Sequence, residues 1–275
     1  MENGFKLNDE QLKAQVAKQY KKTELKFPTE IIDLPSKGLV YPEGHPLRDG
    51  RVEMKYMTAK EEDILSSQSL IKKGIVLDRL FQSLIIGNGE GAPFDYDDLV
   101  VGDKNAVMVA SRVLGYGKDY DVEINIPQLD EPHRVTVDLT QLNDKEFDVE
   151  VFEKYGNNIP FELPVSKNVV TLKILNGKDE KSIDHVLKGK RGQIERTNST
   201  RLKYIITSVD GDSERKTIDT FVDEYLLSQD SLAIKKYIVE IQPDVDLRVK
   251  VDIPDEDISE FFDIPIGLSF FWPRV

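Results

Sequence analysis

Apolar and polar residues alternate in DYDVEINIP, from Asp119 to Pro127, and the same rhythm returns in DLRVKVDIP, from Asp246 to Pro254. Alternation at period two predicts a strand with one buried face, stopped each time by proline. Upstream the two copies stay in register without a gap. Asp119 pairs with Asp246, Ala106 with Ala233, Asp103 with Asp230 and Leu99 with Leu226. The intervening stretches have helical spacing: Ala106, Val109, Ala110 and Val113 share one face, as do Ile234, Tyr237, Ile238 and Ile241. Asp103 and Asp230 fall in the first turns, where a carboxylate suits free amides and the positive end of the helix dipole. Downstream, RVTVDL (Arg134 to Leu139) lies opposite FFDIPI (Phe261 to Ile266). Each unit reads as a helix, a strand ended by proline, a short acidic turn and a return strand.

A second echo lies further upstream at a different offset. MKYMTAKEED (Met54 to Asp63) matches LKILNGKDEK (Leu172 to Lys181), a strand followed by a turn and an acidic helix start. Thr58 and Glu61 have the spacing of a capping box. Leu34-Pro35 and Leu163-Pro164 precede the two strands. A duplicated module accounts for both echoes. The expected fold is α+β, with an N-terminal arm over 1–26, a first module over 27–150 and a second over 151–275, each joining helices to a short antiparallel hairpin.

Between the echoes three apolar stripes read as helical core faces: Leu77, Leu80, Phe81, Leu84 and Ile85; Leu202, Ile205, Ile206 and Val209; and Ile218, Phe221, Val222, Tyr225 and Leu226. PSKGLVYPEGHPLRDG, from Pro35 to Gly50, holds too many prolines and glycines for a helix. Its Leu39, Val40 and Tyr41 predict an ordered loop that packs against something.

Composition narrows the function. The chain has 275 residues, 39% of them hydrophobic, enough for a sizeable core. No apolar run reaches the length of a membrane span, and MENGFKLNDEQLKAQ has no apolar signal core, so a cytoplasmic site of synthesis is expected. A net charge of −13 makes a phosphate backbone a poor partner, and the basic run KGKRGQIER (Lys188 to Arg196) reads as a solvated loop. With no cysteine there is neither a disulfide nor a thiolate ligand or nucleophile.

Candidate chemistry is sparse. His45, His133 and His185 have no second histidine at metal-ligand spacing. Gly87, Gly89 and Gly91 lack the Lys-Ser/Thr of a phosphate loop and follow no clear strand, so GNGEG reads as a connector. The carboxylates Glu61 to Asp63 read as a helix start, and Tyr96 to Asp98 as a turn. The acidic turns at Asp130-Glu131 and Asp255 to Asp257 read as solvated, a hard cation being the weaker alternative. No nucleophile elbow and no marked carboxylate pair point to catalysis. The expectation is a protein that is not an enzyme, with no cofactor, no metal and no small-molecule substrate.

The runs DLPSKGLVYPEGHPL, VEMKYMTAKEEDIL, LIKKGIVLDRLFQSLI, VVGDKNAVMVASRVLGYGKDYDVEI and IPIGLSFFWPRV resemble the baseplate hub proteins of T4-like contractile-tailed bacteriophages. The resemblance covers most of the chain from about residue 30. It implies a virion tail protein, assembled in the host cytoplasm, that docks onto other hub and tail proteins; the alternative is a transient assembly chaperone that leaves before the particle is complete. Many relatives place Cys-x-x-Cys in the hairpin turns, where two hairpins share a zinc. Here those turns read PQLDEPH and PDEDISE. The hairpins are therefore expected to be zinc-ribbon-like without cysteine, side by side, with Phe261, Phe262, Phe270, Phe271 and Trp272 supplying the contacts a metal would.

The docking surface is expected at Pro35, Gly38, Leu39, Tyr41 and Pro42 of the loop and at Phe270, Phe271 and Trp272 of the C-terminal segment, the alternative for those aromatics being the core of the second module. Two like modules are further expected to present two like surfaces, able to bridge neighbours in a ring.

Overall fold

A computed structural model describes residues 28–126, 131–189, 196–253 and 258–272. The fold is α+β. The expected N-terminal arm and the two acidic hairpin turns, apart from Glu131, lie outside the described residues.

The first half begins with strands β1 (Thr29–Asp33) and β2 (Arg51–Lys55), joined by the Pro/Gly loop. Helices α1 (Ala59–Ser66), α2 (Gln68–Lys73) and α3 (Val76–Leu84) follow, and strand β3 (Ile85–Asn88) closes an antiparallel sheet in the order β1-β2-β3. Helix α4 (Val101–Tyr116) then leads into the hairpin of β4 (Asp119–Ile124) and β5 (His133–Asp138). After a short helix α5 (Val149–Tyr155), the second half repeats the order. Its sheet is β6 (Ile159–Glu162), β7 (Val169–Leu172) and β8 (Ile206–Val209), with helices α6 (Gly177–Gly189) and α7 (Thr197–Ile205) between β7 and β8. Helix α8 (Arg215–Thr220), continued by a π turn, precedes α9 (Ser228–Ile241) and the hairpin of β9 (Arg248–Ile253) and β10 (Ile258–Asp263).

The repeat extends to irregularities. The register of β2 on β3 slips between Glu53 and Met54, and that of β7 on β8 slips at the equivalent Thr171 and Leu172. The Glu61 carboxylate accepts from the Thr58 N–H and hydroxyl and from Lys55 at 2.8 Å. One repeat later Asp179 accepts from the Asn176 N–H and from Lys173, also at 2.8 Å, while the Asn176 side chain accepts from the Asp179 N–H. These are reciprocal caps on α1 and α6, each backed by a lysine from the end of the preceding strand. Helix α5 crosses the expected module boundary at 150, so the repeating units are better bounded as Thr29–Asp138 and Ile159–Asp263.

Two helical stripes are shorter than their spacing predicts. α3 stops at Leu84 and α7 at Ile205, and Ile85, Ile206 and Val209 belong to β3 and β8. Each helix passes directly into a strand with no glycine or proline to mark the change. GNGEG is accordingly preceded by a strand, and the Asn88 side chain accepts from the Glu90 and Ala92 N–H groups to close the turn after it.

One apolar core runs through both halves. The seam is held by backbone pairing of Asp144 with Val245, with Lys145 N–H donating to Asp244 O at 2.7 Å and Asp246 N–H to Asn143 O at 2.8 Å. Gly102, in the first turn of α4, sits where a Cβ would be driven into the Pro243 carbonyl. The hairpins flank one groove, lined by Val135 and Val137 of β5, Val249 of β9 and Phe261 of β10. The backbone ladder between the halves ties them at its base. The expected aromatic clip is not there: Phe261 is exposed and Phe262 partly buried, and Phe270 and Phe271 go elsewhere.

Candidate docking surface

The Pro/Gly loop is ordered, and a buried carboxylate orders it. Asp103, at the third position of α4, is fully buried. Its two oxygens accept from the Ser36 N–H at 3.0 Å, the Ser36 hydroxyl at 2.7 Å and the Tyr41 hydroxyl at 2.5 Å. Burial dominates its titration and pushes the carboxyl up to about 6, against the pull of these donors and with help from the nearby Asp144. The Tyr41 phenol, buried and facing that carboxylate, is pushed well above its ordinary value. Arg48 gathers the other side of the loop, donating to the carbonyls of Gly38, Leu39 and Tyr41 at 3.0–3.3 Å. Gly38 has φ of 77° and lies so close to the Arg48 backbone that no side chain fits.

This packing decides which loop residues a partner can reach. Pro35, Gly38 and Tyr41 are buried and Leu39 is half-buried, which corrects the expectation that they form a contact face; Pro42 is exposed. Behind Pro42 a cleft of about 390 Å³ opens toward the second half, lined by His45, Asp98, Asn157, Asn158 and Asn176 among others. His45 Nδ1 accepts from the Leu47 N–H and Nε2 lies 3.4 Å from Asp98, so the ring is held as a turn cap. Asp98 also pairs with Lys178 at 2.6 Å.

Phe270 and Phe271 are fully buried, in the first half and not the second. Phe271 meets Phe81 of α3 at a ring-centroid distance of 6.0 Å, and Phe270 meets Tyr120 of β4 edge-on at 4.9 Å. The Tyr120 hydroxyl donates to Pro265 O at 3.1 Å, and the Arg112 Nε of α4 donates to Phe270 O at 3.0 Å. Arg112 also donates to Gly117 O and Asp119 O, so the guanidinium ties three carbonyls from two parts of the chain. Burial lowers its pKa without neutralising it. Neither the surface reading nor the second-module reading of these phenylalanines holds. Trp272 alone of the three aromatics is exposed.

Pro42 and Trp272 are thus the exposed members of the expected set, Trp272 at 43%. Other residues expose more apolar area: Val239, 67% exposed, and Leu232 on α9, Phe261, 62% exposed, on β10, and Tyr225, 63% exposed, which its stripe places in the core. Leu232 and Val239 are one heptad apart and share a helix face, a spacing visible in the sequence but masked there by the stronger stripe of Ile234, Ile238 and Ile241. Among the described residues no group of acidic and histidine side chains is arranged to hold a metal, and no helix is long and apolar enough to cross a membrane. The chain matches no protein-family model, no curated protein and no solved structure.

Proposed function

We propose that this chain is a structural or assembly component of a contractile phage tail baseplate hub and works by docking onto neighbouring proteins. The observation that supports this best is a pair of repeats joined by one core and a shared backbone ladder that leaves large apolar side chains, among them Val239 and Phe261, in solvent beside grooves. Such residues are costly to expose and are enriched where proteins meet. The sequence resemblance supplies the class of partner: other hub and tail proteins.

The test is quantitative mass spectrometry of purified particles together with imaging of the baseplate. Stoichiometric presence, with density for both repeats at the hub, supports the proposal. Absence from finished particles, with assembly still dependent on the chain, makes it the transient chaperone and overturns the subunit reading.

A further inference from the structure

The two repeats carry a corresponding groove, and among the described residues only the first is filled, by the segment Leu268–Phe271. In the first repeat the groove lies between α3 and α4. Phe81 and Arg112 hold the C-terminal turn there, Phe81 against the ring of Phe271 and Arg112 on the carbonyl of Phe270. α3 and α7 have the same length and each runs straight into a four-residue strand, so Phe81 corresponds to Leu202. α4 and α9 each carry their buried aspartate, Asp103 or Asp230, at the third position, so Arg112 corresponds to Val239. Leu202 and Val239 both line a groove of about 360 Å³, with Leu175, Ile205 and Ile238 of the second repeat and Val101 from the start of α4 completing its apolar floor, and polar and charged residues at its rim. Its volume is in the range of pockets that hold a ligand. No described segment fills it as Leu268–Phe271 fills the first. Among the described residues the two surfaces therefore differ at this place: one groove is closed in cis and the other has no occupant.

We propose that the groove between α7 and α9 is a docking site for an aromatic segment of a partner protein, a short turn presenting two adjacent large apolar side chains as Phe270 and Phe271 are presented in the first repeat. The occupant is inferred from the filled copy of the same site. The differences between the copies fit a partner that must also be able to leave: Val239 replaces the arginine that clamps the tail carbonyl, and Lys235 and Arg201 at the rim replace Met108 and Leu80. Arg201 is already paired with Glu180, and the Lys235 ammonium offers a carboxylate on the partner a contact at the edge of the apolar patch. The proposal does not depend on the tail-hub reading.

The probe is a fluorescein-labelled peptide of residues 264–272, IPIGLSFFW, titrated with the full chain and followed by fluorescence anisotropy. Saturable binding is expected, weakened at least tenfold by Val239→Glu and by Asn198→Glu, both at exposed positions on the groove, and lost when the peptide carries F270S and F271S. Circular dichroism of the two protein variants checks that the fold is kept. No saturable binding, or binding indifferent to both substitutions, overturns the proposal. Self-association of the wild-type chain in sedimentation that Val239→Glu abolishes would make the occupant a second copy and overturn the assignment to a partner.

Discussion

Asp103 and Asp230 occupy the third position of equivalent helices and each clasps the loop that follows the Leu-Pro of its own repeat. Asp103 accepts from Ser36 and Tyr41, and Asp230 accepts from the Val165 and Ser166 N–H groups at 2.8 and 3.0 Å. Both side chains are fully buried. Each repeat thus fixes the entrance to its sheet by a carboxylate brought in from more than sixty residues away, by separations of 62 to 67 residues for Asp103 and 64 to 65 for Asp230. Replacing either with alanine strands buried donors. Asp103→Ala is expected to cost about 3 kcal/mol or more in chemical denaturation, and Asp230→Ala, which strands two donors, less.

The two aspartates titrate in opposite directions. Asp103 is raised to about 6, chiefly by burial, so the folded chain binds its proton more tightly than the unfolded chain does. Stability from this group is complete below the unfolded value near 4 and declines as pH rises through about 6, by about 3 kcal/mol in all. Asp103→Asn removes that slope. The wild-type advantage over the variant should therefore be largest near pH 4 and shrink toward pH 7, and a difference constant over that range would contradict the assignment. For Asp230 burial also raises the pKa, but the Val165 and Ser166 donors outweigh it and the net direction is down. Its contribution is present above the unfolded value and fades as the solution is acidified.

The Glu61 cap provides a third test. Burial works against its charge, but the donors Lys55, Thr58 and Ser83 prevail and hold it at about 2. Its stabilisation is present above the unfolded carboxylate range and is lost as pH falls toward 2. Glu61→Gln keeps the shape and loses the charge, and should cost about 1–3 kcal/mol at pH 7. The penalty should shrink steadily as pH falls from about 5 toward 2, with part of it still present at pH 3, read from denaturation midpoints across that range.

The repeat itself was readable, because strand alternation and the helix spacing between Leu99 and Asp119 recur in register with Leu226 to Asp246. Asp103 and Asp230 were readable as first-turn residues, but their loop partners are too distant in sequence for any local pattern to connect. Ile85, Ile206 and Val209 fell into helical stripes because an apolar residue after a helix fits period 3.6 as well as it fits a short strand. The C-terminal phenylalanines announced burial or contact, yet nothing near them in sequence says which half receives them. The site beneath Val239 was invisible for the same reason: it is defined by what is missing from the second repeat and present in the first.

Phe270 and Phe271 connect the end of the described chain to its first half, so their loss should be felt far from the tail. Phe271→Ala removes a fully buried ring from the α3 surface and is expected to cost about 3–5 kcal/mol. The single tryptophan, Trp272, lies next to it and reports on the docking of this segment through its fluorescence. In Phe271→Ala that emission should shift to the red at denaturant concentrations below the main transition seen by circular dichroism. Coincident transitions would mean that the tail and the core still unfold together.

Two glycines that face different neighbours separate a rigid seam from a yielding one. A methyl group on Gly102 meets the backbone of Pro243 and Asp244, which cannot move without shifting the ladder that joins the halves. On Gly115, at the other end of the same helix, it meets the Met57 side chain, whose terminal Cε would lie 2.8 Å away and can turn aside. Gly102→Ala should therefore destabilise the chain by about 2 kcal/mol or more. Gly115→Ala should be close to neutral, because the helix propensity gained from alanine, about 1 kcal/mol, offsets the displaced methionine. Parallel denaturation of the two variants reads the contrast directly. Equal losses would show that the Pro243 contact gives way as easily as a methionine side chain, and that the halves are joined more loosely than their shared backbone pairing implies.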